Sequence, residues 1–219
     1  MPLRAKSLVL AMDIGSSSLR TALFTDSGTR ILQSTATRKY SLRYTADGGA
    51  ELNPRDLLRA ANVCLKETTR ARQLFHLPIV AVAGSAFWHS LLGLNRRDEA
   101  ITPIFTWADS RCTIDAVELR KELNEREVQL RTGCMLRAPY WPAKLRWLRR
   151  TQPSFFKRAA RWTSPGAWIF EQIFGARVTS HSMASGTGLY NLATRDWDAE
   201  LCASSVVRVE QLGILRIVA

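Results

Sequence analysis

Five apolar residues, Leu8-Val-Leu-Ala-Met12, run directly into Asp13-Ile-Gly15-Ser-Ser-Ser18, and no other stretch restricts the fold of this chain so strongly. The apolar run predicts a strand buried on both faces. Gly15 and the serines predict a tight turn, Leu19–Thr25 a returning strand, and Asp26-Ser-Gly28 the turn into a third strand over Arg30–Thr37. Gly15 lets the backbone come close to a ligand. The hydroxyls of Ser16, Ser17 and Ser18, with nearby N–H groups, can then surround phosphate oxygens. Asp13 stands at the C-terminal end of the first strand, where a carboxylate suits Mg²⁺ held through water. A buried carboxylate is costly unless it is paired or near a metal. A plain β-hairpin is the alternative reading of the same residues.

Later segments continue one resemblance. Asp13-x-Gly15-Ser16-x-Ser18-x-Arg20 resembles the first phosphate loop of the sugar-kinase, heat-shock-ATPase and actin superfamily. The text from about Leu8 to Leu212 is similar to the N-terminal half of the FGGY carbohydrate kinases, and within them to the gluconate kinases. The resemblance implies ATP and Mg²⁺ as cofactors, with Asp13, Gly15, Ser16, Ser17, Ser18 and Arg20 on the nucleotide side and Asp13 at the metal.

Asn53 and Pro54 predict the start of a helix, as N-cap and first residue. Leu57, Leu58, Ala61, Leu65 and Thr68 carry its apolar stripe as far as about Phe75. Pro78–Gly84 predicts the next strand. The loop after it ends in Trp88-His-Ser-Leu-Leu92, which resembles the Met-His-Ser-Leu of gluconate kinases, where the loop reaches the sugar. Trp88 then stacks on a polyol face and His89 donates to its hydroxyls; a core histidine at a strand start is the alternative. Strands over Leu91–Leu94 and Ile101–Trp107 lead to Thr106-Trp-Ala-Asp109-Ser-Arg111, close to the gluconate-kinase Thr-Trp-Ala-Asp-x-Arg. There Asp109 accepts from neighbouring hydroxyls. Arg111 offers a bidentate fork to a carboxylate, as an aldonate substrate requires. The alternative makes Asp109 the N-cap of a helix over Arg111–Arg131. Further helices are expected over Pro142–Arg150 and Pro165–Phe174, with a strand over Ala159–Thr163 between them.

The resemblance has departures. Thr179-Ser-His-Ser182 lacks an acid that the family usually carries, and Gly166 falls near a position that is polar elsewhere in the family. The general base, second phosphate loop and adenosine-binding glycines are expected beyond Ala219, so no catalytic residue is assigned. A purified chain of these residues is expected to be inactive by itself.

Composition narrows the class. At 219 residues and 46% hydrophobic, the chain can bury a real core. No apolar run reaches the length of a membrane span. Four scattered cysteines without a Cys-x-x-Cys suit a reducing cytoplasm. The net charge of +12 concentrates in Val128–Phe170, where no acid occurs and arginines and lysines alternate with aromatics. Such a mixture can bind nucleic acid, although an amphipathic helix with a solvated basic face is the favoured account.

The expectation is therefore one α/β domain over 1–219, ribonuclease-H-like in the actin-like ATPase manner, with a mixed sheet and helices on both faces. Its function is that of a carbohydrate kinase N-terminal domain, with gluconate the favoured acceptor. Its expected partners are a sugar or sugar acid, a C-terminal kinase domain outside the chain and a second copy, rather than a membrane or nucleic acid. An inactive sugar- or partner-binding module and a basic nucleic-acid-binding protein are the competing readings.

Overall fold

A computed structural model describes residues 5–72 and 76–216. They fall into two compact units, one from the N-terminal residues to Ser41 with Arg55–Phe87, the other from Leu42–Pro54 with the residues from Trp88 onward.

In the first unit, β1 (Leu8–Ile14), β2 (Ser18–Thr25) and β3 (Arg30–Lys39) form the expected meander. Asp13 faces Arg20 in the β1–β2 register, and a bulge interrupts β2–β3 between Thr21 and Leu23. The short strands β4 (Arg43–Tyr44) and β5 (Ala50–Leu52) belong to the second unit. The chain then enters helix α1 (Pro54–Arg72) and returns as β6 (Ile79–Ala86), parallel to β1. The sheet order β3-β2-β1-β6 is thus mixed.

The periodicity of α1 explains its docking. Leu57, Ala61, Cys64 and Thr68 recur at helical spacing and are fully buried. Thr68 Oγ1 meets Thr21 Oγ1 at 2.6 Å, and Cys64 Sγ donates to the Leu19 carbonyl at 3.6 Å. Leu8, Leu10, Leu23 and Ile31 make the core on this side, with Leu65 against them. Each such leucine removed from water contributes roughly 2 kcal/mol. The far end of the expected helix, at Phe75, lies outside the described residues.

β1 departs from expectation. Leu8, Leu10, Met12 and Ile14 are buried, but Val9 and Ala11 are half-buried and Asp13 is exposed. The large side chains alternate onto one face, and α1 is the only helix of this unit among the described residues. No desolvation penalty therefore acts on Asp13, and the burial argument for a metal beside it does not hold.

The second unit is built on aromatics. β7 (Leu92–Leu94) pairs antiparallel with a strand over Arg161–Thr163, while β8 (Ile104–Phe105) pairs with β5 and is shorter than the expected Ile101–Trp107. Phe105, Trp141, Trp147 and Trp162 lie in one buried cluster with Leu119, Leu145 and Leu148.

The single helix expected over Arg111–Arg131 is two, α2 (Thr113–Glu122) and α3 (Glu125–Thr132). Leu123 turns extended, and Asn124 Oδ1 accepts from the N–H groups of Arg126 and Glu127 at 3.1 and 3.4 Å. A side-chain cap satisfies donors that a continuous helix would have used internally, so the chain restarts there. Helices α4 (Trp141–Thr151) and α5 (Pro153–Arg158) follow. The strand expected from Ala159 is β9 (Arg161–Thr163), and α6 (Pro165–Phe174) ends at Gly175 as expected. Two short helices, α7 (His181–Ser185) and α8 (Ala199–Ser204), complete the unit. No helix among the described residues is long and apolar enough to cross a membrane.

Candidate functional site

In the first unit, Gly15 N donates to the Ser18 carbonyl at 2.9 Å, which closes the predicted turn. Tyr40, the residue after β3, fastens it: its N–H donates to the Ser17 carbonyl at 3.1 Å and its hydroxyl donates to the Gly15 carbonyl. Burial pushes the Tyr40 phenol above its usual range, and the Asp13 charge adds to this. Tyr40 therefore stays a donor at all ordinary pH. Ser16 is half-buried, Ser17 exposed and Ser18 buried, so the serines do not present their hydroxyls equally.

Asp13 accepts from Ser85 Oγ at 3.0 Å. Asp13, Arg20 and Ser85 line one concavity of about 400 Å³ on the sheet face opposite α1. Among the described residues no cluster of three acidic, histidine or cysteine side chains could hold a metal by itself. One exposed carboxylate with a free oxygen does fit Mg²⁺, which keeps most of its waters and takes other ligands from phosphate.

In the second unit, Trp88 is half-exposed, and a Cβ on Gly186 would lie 2.9 Å from its ring. Glycine at 186 is thus what lets the indole lie against the backbone. His89 sits at φ 62°, a conformation that side chains adopt at a cost. Its Nδ1 is hydrogen-bonded to the Gly186 carbonyl, which can only accept, so Nδ1 carries the proton. Burial holds the imidazole below its ordinary pKa, against the carbonyl bond, which acts the other way. In this neutral tautomer Nε2 is an acceptor. The expected donation from His89 to a hydroxyl is therefore reversed: the hydroxyl would donate to His89. Tyr140 packs edge-on against the ring at 4.6 Å.

Asp109 and Arg111 come together, but on each other. Arg111 Nε and Nη2 take the two Asp109 oxygens at 3.0 and 2.5 Å, and Nη2 also reaches Glu51 Oε1 at 2.7 Å. The guanidinium lies over the Trp147 ring at 4.5 Å. Burial opposes its charge, but the bonds to Asp109 and Glu51 outweigh it and raise its pKa further. The bidentate fork expected to meet a substrate carboxylate is occupied by Asp109, and among the described residues Nη1 has no hydrogen-bond partner. Asp109 is 2% exposed and also accepts from Ala50 N at 3.3 Å. It does not cap α2, which begins after Cys112 without a side-chain cap.

Glu51, Tyr40 and Ser85 were not singled out from the sequence. The signal for Glu51 is an acid between Ala50 and Leu52 in a three-residue strand, where all three are buried. The signal for its surroundings is Gly49, whose Cβ would fall 2.9 Å from Arg111 Cζ.

Residues 8–217 match the model of the FGGY family of carbohydrate kinases, N-terminal domain. A gluconokinase of Bacillus subtilis (strain 168) is 32% identical over 211 residues, covering 95% of this chain and 40% of the relative. The crystal structure of a gluconate kinase from Lactobacillus acidophilus superposes with a TM-score of 0.87 at 27% identity, over 96% of this chain and 42% of that one. A ligand-bound xylulose kinase from the same organism gives the same score, identity and coverage. The chain thus spans about two-fifths of the length of these relatives, and its fold is that of the actin-like ATPases. It belongs to the FGGY family of carbohydrate kinases, in the family's N-terminal domain.

Proposed function

We propose that this chain supplies the sugar-recognising part of an ATP-dependent kinase whose acceptor is a sugar acid, with gluconate favoured. Trp88 stacks on the C–H face of the polyol, and His89 Nε2 accepts from a hydroxyl. Asp109 fixes Arg111, which leaves Nη1 to meet the carboxylate of an aldonate. On the nucleotide side, Gly15 and Ser16–Ser18 surround phosphate oxygens and Arg20 offsets their charge. Asp13 is the residue that would hold Mg²⁺, which when bound neutralises charge on the phosphates. Phosphoryl transfer belongs to the protein that joins this chain to the remaining length found in its relatives, a C-terminal kinase domain.

The observation that carries the reading is the fixed tautomer of His89 beside half-exposed Trp88. A half-buried imidazole whose Nδ1 is committed to backbone offers a single oriented acceptor at Nε2, as polyol recognition needs. Calorimetric titration tests it. Gluconate is expected to bind saturably and more tightly than glycerol, and His89→Ala to weaken gluconate at least tenfold. Equal binding of gluconate and glycerol, or no effect of His89→Ala, would overturn the proposal.

A further inference from the structure

The basic segment between Val128 and Phe170 is mostly neutralised by the fold. Arg131 pairs with Asp198, Arg137 with Glu125, Arg146 with Glu122 and Arg150 with Asp115. Arg161 is held between Asp98 and Glu171, and Lys144 is buried against backbone carbonyls. Apart from buried Lys144, the cations of this segment without an acidic partner among the described residues are Arg149, Lys157 and Arg158, and all three line one cavity. Arg96, from the Asn95–Glu99 turn, and Arg208, beyond α8, come to the same place from distant parts of the chain. The cavity holds about 540 Å³, and among the described residues no acidic side chain lines it.

Cations at helix C-termini offset the helix dipole, and that accounts for Arg149 in the last turn of α4 and for Lys157 and Arg158 in that of α5. It does not account for Arg96 or Arg208, which lie outside any α-helix. Among the described residues the acid nearest Arg208 is Glu210, at 4.0 Å, with both side chains about four-fifths exposed. A second feature marks the place. Val206, which lines the cavity, follows α8 with φ 60°, where a β-branched residue is an outlier and glycine is the usual choice. Phe156 adds an apolar wall, packed against Trp162.

We propose that this cavity binds a small polyanion carrying two or more phosphate groups. Five like charges around one concavity repel each other, and a compact ligand of opposite charge relieves that repulsion. The cavity's volume is within the range of small-molecule sites, and arginine forks match phosphate oxygens. None of the residues assigned to sugar or nucleotide lines the cavity, so the proposal stands apart from that assignment.

The probe is inorganic tripolyphosphate, titrated calorimetrically into the whole chain at low salt. Saturable binding at one site is expected, at least tenfold tighter than that of inorganic phosphate. The triple variant Arg149→Ala, Lys157→Ala, Arg158→Ala is expected to lose at least tenfold in affinity. Arg126→Ala with Arg195→Ala, exposed cations elsewhere in the unit, should stay within twofold. If the triple variant shows an altered circular dichroism spectrum, Arg96→Gln and Arg208→Gln replace it, each with a loss of threefold or more. No saturable binding, or the same loss in both sets of variants, overturns the proposal. So does single-stranded RNA binding more tightly than tripolyphosphate and losing affinity equally in both sets, which would indicate a diffuse nucleic-acid surface.

Discussion

Lys144 allows a prediction whose sign and size come from the structure. It lies in α4, is 1% exposed, and donates through Nζ to the carbonyls of Ala138, at 3.1 Å, and Pro139. Burial lowers its pKa from 10.5 to about 8, with the nearby Cys112 and Asp109 pulling weakly the other way. A neutral amine still has two protons for two carbonyls, so the bonds survive deprotonation, while an ammonium carries a third proton into a dry place. Holding that charge at neutral pH costs about 3 kcal/mol from the displacement of the pKa. A lysine with a lowered folded pKa binds fewer protons folded than unfolded between about pH 8 and 10.5, so stability rises with pH across that window. From about pH 7 to about pH 9.5 the expected gain from Lys144 alone is about 2 kcal/mol.

Urea unfolding followed by tryptophan fluorescence, at those two pH values, measures it. Lys144→Met fills the space but does not titrate. Cys112, whose thiol burial pushes up to about 11 while the Lys144 charge holds it down, contributes stability that is lost as pH rises above the ordinary thiol range, and that loss is at least as large in Lys144→Met, where the charge is gone. The difference between wild type and Lys144→Met should therefore shift by about 2 kcal/mol in favour of wild type at the higher pH. Its value at neutral pH is smaller and of mixed origin, since removing the ammonium helps while each abandoned carbonyl costs about 1–3 kcal/mol. A difference that stays constant within about 0.5 kcal/mol across the window would mean that Lys144 is not held neutral near pH 8, and the account of its burial would fail.

Other perturbations have equally definite outcomes. Gly186→Ala places a methyl 2.9 Å from the Trp88 ring, and should shift Trp88 fluorescence and weaken gluconate about tenfold with little change in the unfolding midpoint. Arg111→Lys keeps a charge but not the fork over Asp109 and Glu51; leaving buried carboxylates imperfectly paired should cost about 3 kcal/mol in urea unfolding. Asp13→Asn, in the protein that includes the C-terminal part, should lower phosphorylation by orders of magnitude because charge at the phosphates goes unneutralised, and should leave gluconate affinity of the chain within twofold.

How far the sequence discloses this fold depends on whether a signal is local. The meander of β1–β3, the α1 stripe and the stop at Gly175 are written in neighbouring residues, and all appear as expected. The break between α2 and α3 is also local, but it is a contest between two helix-compatible readings of Asn124. Only the cap geometry, with Leu123 extended, decides it. The burial of β1 is hidden in the sequence for a different reason. Leu-Val-Leu-Ala-Met is apolar at every position, and period-two burial is hidden when both faces carry apolar residues. The size alternation was the available clue: Leu8, Leu10 and Met12 point one way, Val9 and Ala11 the other.

The site divides along the same line, with charged groups the hardest to place. Trp88 and His89 are adjacent in a motif, and their proximity needed no fold to be seen. The use made of a guanidinium or an ammonium, by contrast, is set by whatever the tertiary structure brings within 3 Å of it. Arg111 reads as a group free to meet a substrate carboxylate until Glu51 arrives from 60 residues away and Asp109 folds back on it. Lys144 reads as part of a solvated basic face, since nothing in Ala-Lys-Leu-Arg-Trp-Leu distinguishes it from Arg146 or Arg149. What distinguishes it is the turn before α4, which leaves the carbonyls of Ala138 and Pro139 pointing at one place on the helix. The net charge of this chain is consequently a poor guide to its partners when taken as a sum. The informative quantity is the subset of accessible cations that the fold leaves without acids, and among the described residues of the basic segment those are the three that meet at the cavity between α5 and the residues beyond α8, Lys144 being buried against carbonyls.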